Sequence, residues 1–188
     1  MTRVVEESGT TAVDYLRANR SARLPFTAAD AVRAYDAWGC NCGPGALAAV
    51  LGISLDEVRP MIPDFDAKRY TNPTMMNVAL RASGREWKKV GAVWPAYGLV
   101  RLQWEGPWTE PGVPMAARYR YTHWVGSWIT STRGHGVFDI NCMNNGTGWA
   151  LRDDWEREIV PAITAQYKRA SGKWHVTHAL QVEKPGIA

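Results

Sequence analysis

The chain has 188 residues, three cysteines, and 22 basic against 18 acidic residues, for a net charge of +4. This length fits one domain spanning residues 1–188, and an apolar content of 46% supports a sizeable core and excludes wholesale disorder. The mild charge, with no block of like charges and no basic arm, gives no argument for a nucleic-acid partner, and an odd cysteine count in a chain this long does not read as a disulfide framework.

Met1 to Thr10 is polar and carries Glu6 and Glu7, so it does not read as a signal peptide. Ala46 to Leu51, the longest apolar run, is too short to span a bilayer. The expectation is a soluble, cytoplasmic protein without a membrane partner, of a size that fits a small bacterial or phage protein.

The first third reads as helical. Thr11 to Arg20 reads as a short helix with Val13, Leu16 and Tyr15 on its apolar side, and Thr27 followed by Asp30 is a capping-box start for a helix over Ala28 to Ala37. Gly39 to Gly45 is punctuation leading into the apolar run Ala46 to Leu51, which Gly52 stops. Ser54 with Glu57 is a second capping box, for Leu55 to Met61, and Thr74 to Ala82 is a further helix. After Gly84 the texture becomes that of strands: Trp87 to Val90, Gly98 to Trp104, Tyr119 to Ile129, Gly136 to Asn141 and Lys173 to Glu183. Gly106 to Ala117 carries three prolines and reads as a loop, while Asp153 to Thr164 reads as a short helix interrupted at Pro161. Helices first and strands afterwards predict an α+β fold, with an antiparallel sheet against a helical half.

The chemistry concentrates in Asn41-Cys42-Gly43-Pro44-Gly45-Ala46-Leu47. A cysteine in the first turn of a helix is surrounded by unpaired backbone N–H groups, and the helix dipole there favours the thiolate. Gly43 would let a substrate backbone approach, Pro44 is tolerated where an N–H has no helical partner, and the N–H of Cys42 is a candidate oxyanion donor. The plain alternative is a small buried thiol in a tight turn. A nucleophilic thiol needs a base, and His123, at the start of a strand, is the candidate. Asp139 follows it by sixteen residues, a separation that suits a hairpin setting Asp139 or Asn141 beside the ring. Cys40 and Cys42, with Cys142 and His135, do not have the spacing of a structural zinc set, so no metal or organic cofactor is expected. Gln103 to Trp108 places Trp104 and Trp108 beside Gly and Pro as a candidate aromatic wall for a substrate chain.

Cys42-Gly-Pro-Gly-Ala-Leu47, then His123-Trp-Val125, then Val137-Phe-Asp-Ile-Asn141, in that order, resembles the C39-like branch of the papain-like cysteine peptidases. The resemblance spans about Asp36 to Asn141. It implies a papain-like α+β fold with the site in a cleft between a helical half and a sheet half. It assigns Cys42 as nucleophile, His123 as general base and acid, and Asp139 as the residue that orients the imidazole. The expected activity is therefore peptide or amide hydrolysis, with acyl transfer also open and a peptide or protein as substrate. Trp124, beside His123, joins Gly43, Trp104 and Trp108 as an expected cleft residue.

The chain departs from the family at 42 − 6 = 36, where a glutamine amide commonly donates to the oxyanion and this sequence has Asp36. An ionised carboxylate accepts hydrogen bonds and repels an oxyanion. Asn41, the Trp38 indole and Asn141 are the expected substitutes. The competing expectation is an impaired papain-like domain that grips a peptide or partner protein. A peptidoglycan amidase using the same Cys/His logic is a third.

Overall fold

The computed structural model describes residues 24–131 and 134–184; the helix expected over Thr11 to Arg20 lies outside them. The described residues form an α+β fold with eight short α-helices and one six-stranded sheet.

The helical half starts with α1 (Ala28–Trp38), capped by Thr27: its side chain accepts from Asp30 N–H while Asp30 Oδ2 accepts from Thr27 N–H at 2.7 Å. Gly39, at φ 74°, closes it in the left-handed conformation. α2 (Cys42–Leu51) begins earlier than the apolar run alone suggested, because Gly43, Pro44 and Gly45 are all inside it. Every residue from Gly43 to Leu51 is buried, as expected of a helix that is apolar all round. Its glycines permit close packing: a Cβ on Gly45 would lie 2.5 Å from Ile140 Cδ1. The second capping box starts α3 (Leu55–Val58), which tightens into a 3₁₀ turn at Arg59–Met61. α4 (Phe65–Lys68), not expected from sequence, and α5 (Pro73–Ala82) complete this half.

The sheet contains β1 (Trp87–Gly91), β2 (Tyr97–Trp104), β3 (Thr122–Thr130), β4 (Gly134–Phe138), β5 (Trp149–Leu151) and β6 (Trp174–Val182). The order is β1-β6-β2-β3-β4-β5, antiparallel throughout. The expected loop over Gly106 to Ala117 contains a 3₁₀ turn and α6 (Met115–Arg118), so β3 starts at Thr122 rather than Tyr119. β4 ends at Phe138, and Ile140–Asn145 coils into a 3₁₀ turn that the strand expectation missed. Short β5 was also not foreseen. The late helix is α7 (Arg152–Asp154), a π-helical turn (Trp155–Ile159) and α8 (Val160–Thr164) in unbroken succession. Pro161 lacks the N–H that would continue an α-helical ladder, and the widened turn lies just before it. Among the described residues no helix is long and apolar enough to cross a membrane.

The two faces of the sheet bury different cores. One carries Leu99, Trp124, Trp128, Phe138 and Leu180 against α2 and the other helices. The opposite face carries Val100, Leu102, Trp104, Val125 and Val137 against Trp155, Val160 and Ile163. Gly126 in β3 lets α2 settle on the first face: a Cβ there would lie 2.9 Å from Phe138 Cβ and 3.4 Å from Val50 Cγ2. Gly126→Val is therefore expected to destabilise the fold by about 1–3 kcal/mol through overpacking. Urea unfolding checks this, and an unchanged midpoint would rule out the close contact.

Candidate active site

Cys42 opens α2, and Asn41 precedes it at the N-cap position without a side-chain capping bond. The Asn41 amide instead donates to the Ala31 carbonyl at 2.8 Å, tying the entry of α2 to α1. Backbone N–H groups of the first turn are thus left without a side-chain cap. The Cys42 sulfur is half-buried and faces the start of β3, where it is hydrogen-bonded to the His123 ring and receives the backbone N–H of Trp124. Three of the sequence-selected side chains are therefore brought together. His123 Nε2 lies 2.9 Å from Asp139 Oδ2, which leaves Nδ1 as the ring nitrogen open to Cys42.

Asp139 is fully buried. Its Oδ2 also accepts from Trp155 Nε1 at 2.8 Å, and its Oδ1 accepts from Asn141 N–H at 2.9 Å and Asn141 Nδ2 at 2.8 Å. Trp104 stacks on the His123 ring, with centroids 5.8 Å apart and planes 27° apart. Trp155 was not singled out by sequence, since nothing local distinguishes an indole that reaches back sixteen positions to a carboxylate. Its place at the start of the π-helical turn brings it there.

These contacts decide protonation. Burial opposes the Cys42 thiolate, but the hydrogen bond and charge of His123, with the Trp124 N–H, outweigh it and hold the thiol below its ordinary range. Burial also opposes a charged His123, yet the charge and hydrogen bond of Asp139, followed by those of Cys42, raise it to about 10. Asp139 is held below the usual carboxylate range: its burial is overcome first by His123 and then by the Asn141 and Trp155 donors. Both directions favour a thiolate–imidazolium pair, with a buried carboxylate behind it. Such a pair can attack an electrophilic carbon and return a proton to a leaving group. Cys40 and Cys142 behave oppositely, burial first and then a neighbouring negative charge pushing each thiol up to about 12.

The remaining candidates are placed as follows. Asp36 lies on the exposed side of α1. Trp38 is in the core, edge-on to Phe65. Asn41 and Asn141 have their amides committed to Ala31 and Asp139. The Asn41 and Asn141 amides are thus engaged elsewhere and Trp38 is buried, while the backbone N–H groups at the start of α2 have no side-chain cap. The cleft expectation is corrected for three of its four residues. Gly43 is buried because a Cβ there would fall 2.0 Å from Thr71 Oγ1, so its smallness serves the packing of Thr71. Trp104 and Trp124 are buried, Trp104 behind His123 and Trp124 between sheet and helices, its indole donating to the Thr71 carbonyl at 3.3 Å. Trp108 alone is half-exposed, packed on Tyr121 at 4.5 Å. An open groove of about 370 Å³ also lies beside the site, lined by Ala31, Tyr35, Asn41, Ile140, Asn141 and Gln166 among others.

Neither a protein-family model nor a curated protein sequence matches the chain. The site is accordingly read from its own residues.

A lowered thiol at Cys42 beside two raised ones predicts selective alkylation. At pH 7, iodoacetamide should label Cys42 at least about 100-fold faster than Cys40 or Cys142, because a thiol near 12 is almost wholly protonated there. The rate should fall as pH drops below the lowered Cys42 value and hold a plateau toward pH 10, where His123 loses its proton. Peptide mapping after timed labelling measures this. Equal labelling of the three thiols, or preference surviving in His123→Ala, would sink the ion pair.

Proposed function

We propose that the protein is a cysteine-nucleophile hydrolase of peptide or amide bonds, with a papain-like arrangement of a helical half bearing Cys42 and a sheet half bearing His123. One observation carries this reading: the unbroken chain from the Cys42 sulfur through His123 to buried Asp139. The Cys42 thiolate adds to the carbonyl carbon, and the oxyanion is received by N–H groups at the start of α2. The C–N bond breaks as His123 gives its proton to the departing amine, leaving a thioester on Cys42. Water then adds to the thioester with His123 taking its proton, and the carboxylate product leaves as the thiolate is restored. A second amine in place of water gives transfer. The groove beside Asn41 and Asn141 would hold the chain on one side of Cys42. Asp139, fixed by three donors besides His123, holds the imidazole in the productive tautomer.

The competing reading is a binding module on the same fold. It is favoured by the lack of a side-chain donor at the oxyanion position, a loss that typically costs about 10²–10³ in rate.

Cleavage of a proteome-derived peptide mixture, read by mass spectrometry, separates the two. The wild-type chain should generate new termini, Cys42→Ala and His123→Ala should generate none, and Asp139→Asn should slow cleavage by about 10²–10⁴. Binding of peptides without new termini, despite a reactive Cys42, would favour the module. Cleavage persisting in Cys42→Ala would overturn the mechanism.

A further inference from the structure

On the sheet face that packs against the helical half, Arg101 of β2 is the Cα partner of Trp124 in β3 and of His178 in β6. Cross-strand partners present their side chains on one face, so the guanidinium stands one strand from the amide that holds the Cys42 sulfur. Arg101 is 7% exposed. A buried guanidinium ordinarily has a carboxylate, yet among the described residues none pairs with this one. Its contacts are Thr122 Oγ1 at 3.3 Å and the face of Tyr119 at 5.2 Å, and its Nε is buried without a partner. His178 Nδ1, directly across, is also buried and unpartnered. Burial first, then the charges of Arg101 and Lys89, hold His178 toward its neutral form, so the patch is positive on β1 and β2. Arg101 and Cys42 are close enough to feel each other's charge. Leaving a charged donor unsatisfied in a folded protein is costly, and a planar fork with an open Nε matches a carboxylate.

We propose that Arg101 anchors a carboxylate-binding subsite beside Cys42, so that the substrate carries an acidic side chain or a free C-terminal carboxylate next to the bond that is cut. The subsite stands on its own geometry; its use in cleavage rests on the hydrolase reading above.

The test uses the full chain, ¹⁵N-labelled, with the Arg101 Nε–H resonance identified by its loss in Arg101→Lys. Titration with N-acetylglutamate α-amide offers a side-chain carboxylate, N-acetylalanine a terminal one, and N-acetylglutamine α-amide neither. A saturable shift with either carboxylate and none with the neutral amide supports the subsite and names its source. No shift, or an equal shift with the neutral amide, overturns it. This readout does not depend on Cys42 chemistry, so it stands whether or not peptides are cut. Alkylation then links subsite to thiol: Arg101→Met should slow iodoacetate about tenfold more than iodoacetamide. Equal slowing of both reagents would make Arg101 a support for the thiolate and overturn its role in binding substrate.

Discussion

The structure around the site depends on one buried charge. Asp139 has no solvent exposure, and a carboxylate taken out of water must recover its solvation from fixed donors. Four hydrogen bonds do so, from His123, from Trp155, and from the backbone and side chain of Asn141. The four donors come from three residues on three pieces of chain: the start of β3, the π-helical turn, and the 3₁₀ turn that follows β4. The need to satisfy one carboxylate therefore fixes where three elements end and begin. The Asp139 backbone is pinned as well, its N–H donating to Gly148 O at 2.9 Å and its carbonyl accepting from Cys142 N–H at 2.8 Å. Removing any one donor would leave the others, but removing the charge would leave all of them facing an unfilled site.

Much of this was legible because it is local. The two capping boxes are four-residue signals, and both helices begin where they say. The α+β order followed from the change in texture at Gly84. Cys42, His123 and Asp139 could be selected because a thiol at a helix start needs a base, and a base sixteen residues before a carboxylate suits a hairpin. What could not be read depends on distant packing. Trp155 reaches Asp139 through a π-helical turn that no propensity announces. Trp104 looked like a cleft wall because it stands near Gly and Pro, and Trp124 because it adjoins His123; burial of both faces of the sheet turned them inward. Gly43 was credited to substrate approach, whereas Thr71, twenty-eight positions away, is what fills the space over it. The Arg101 patch was invisible because its three strands meet only after β6 inserts between β1 and β2.

The start of α2 leaves its backbone donors uncovered. The amide of Asn41 turns away to Ala31, so the helix mouth has no side-chain cap. Pro44 contributes no N–H, and Gly45 N–H donates to Asn41 O at 2.8 Å. The first-turn donors left are the N–H groups of Cys42 and Gly43, both beside the sulfur. An uncapped helix start is usually a loss of about 1 kcal/mol. Here the same feature keeps the positive end of the dipole open to whatever negative charge develops on or near Cys42. Asp36 adds nothing to this, because the α1 face it occupies is turned to solvent.

The register of β3 ties these parts together. Side chains alternate along a strand, so His123 and Trp124 point to opposite faces, one toward Trp104 and Asp139, the other toward α2 and Thr71. The backbone between them supplies the N–H that touches Cys42. A slip of one residue in one direction would place Trp124 where His123 must be, and a slip in the other would drive Val125 into the position that Gly126 leaves open for α2. The hydrophobic pattern of β3 thus resists the slip from both sides, by burying two different cores and by reserving one gap for a helix. That resistance is what lets a half-buried sulfur, a ring and a carboxylate from three separate stretches of chain meet.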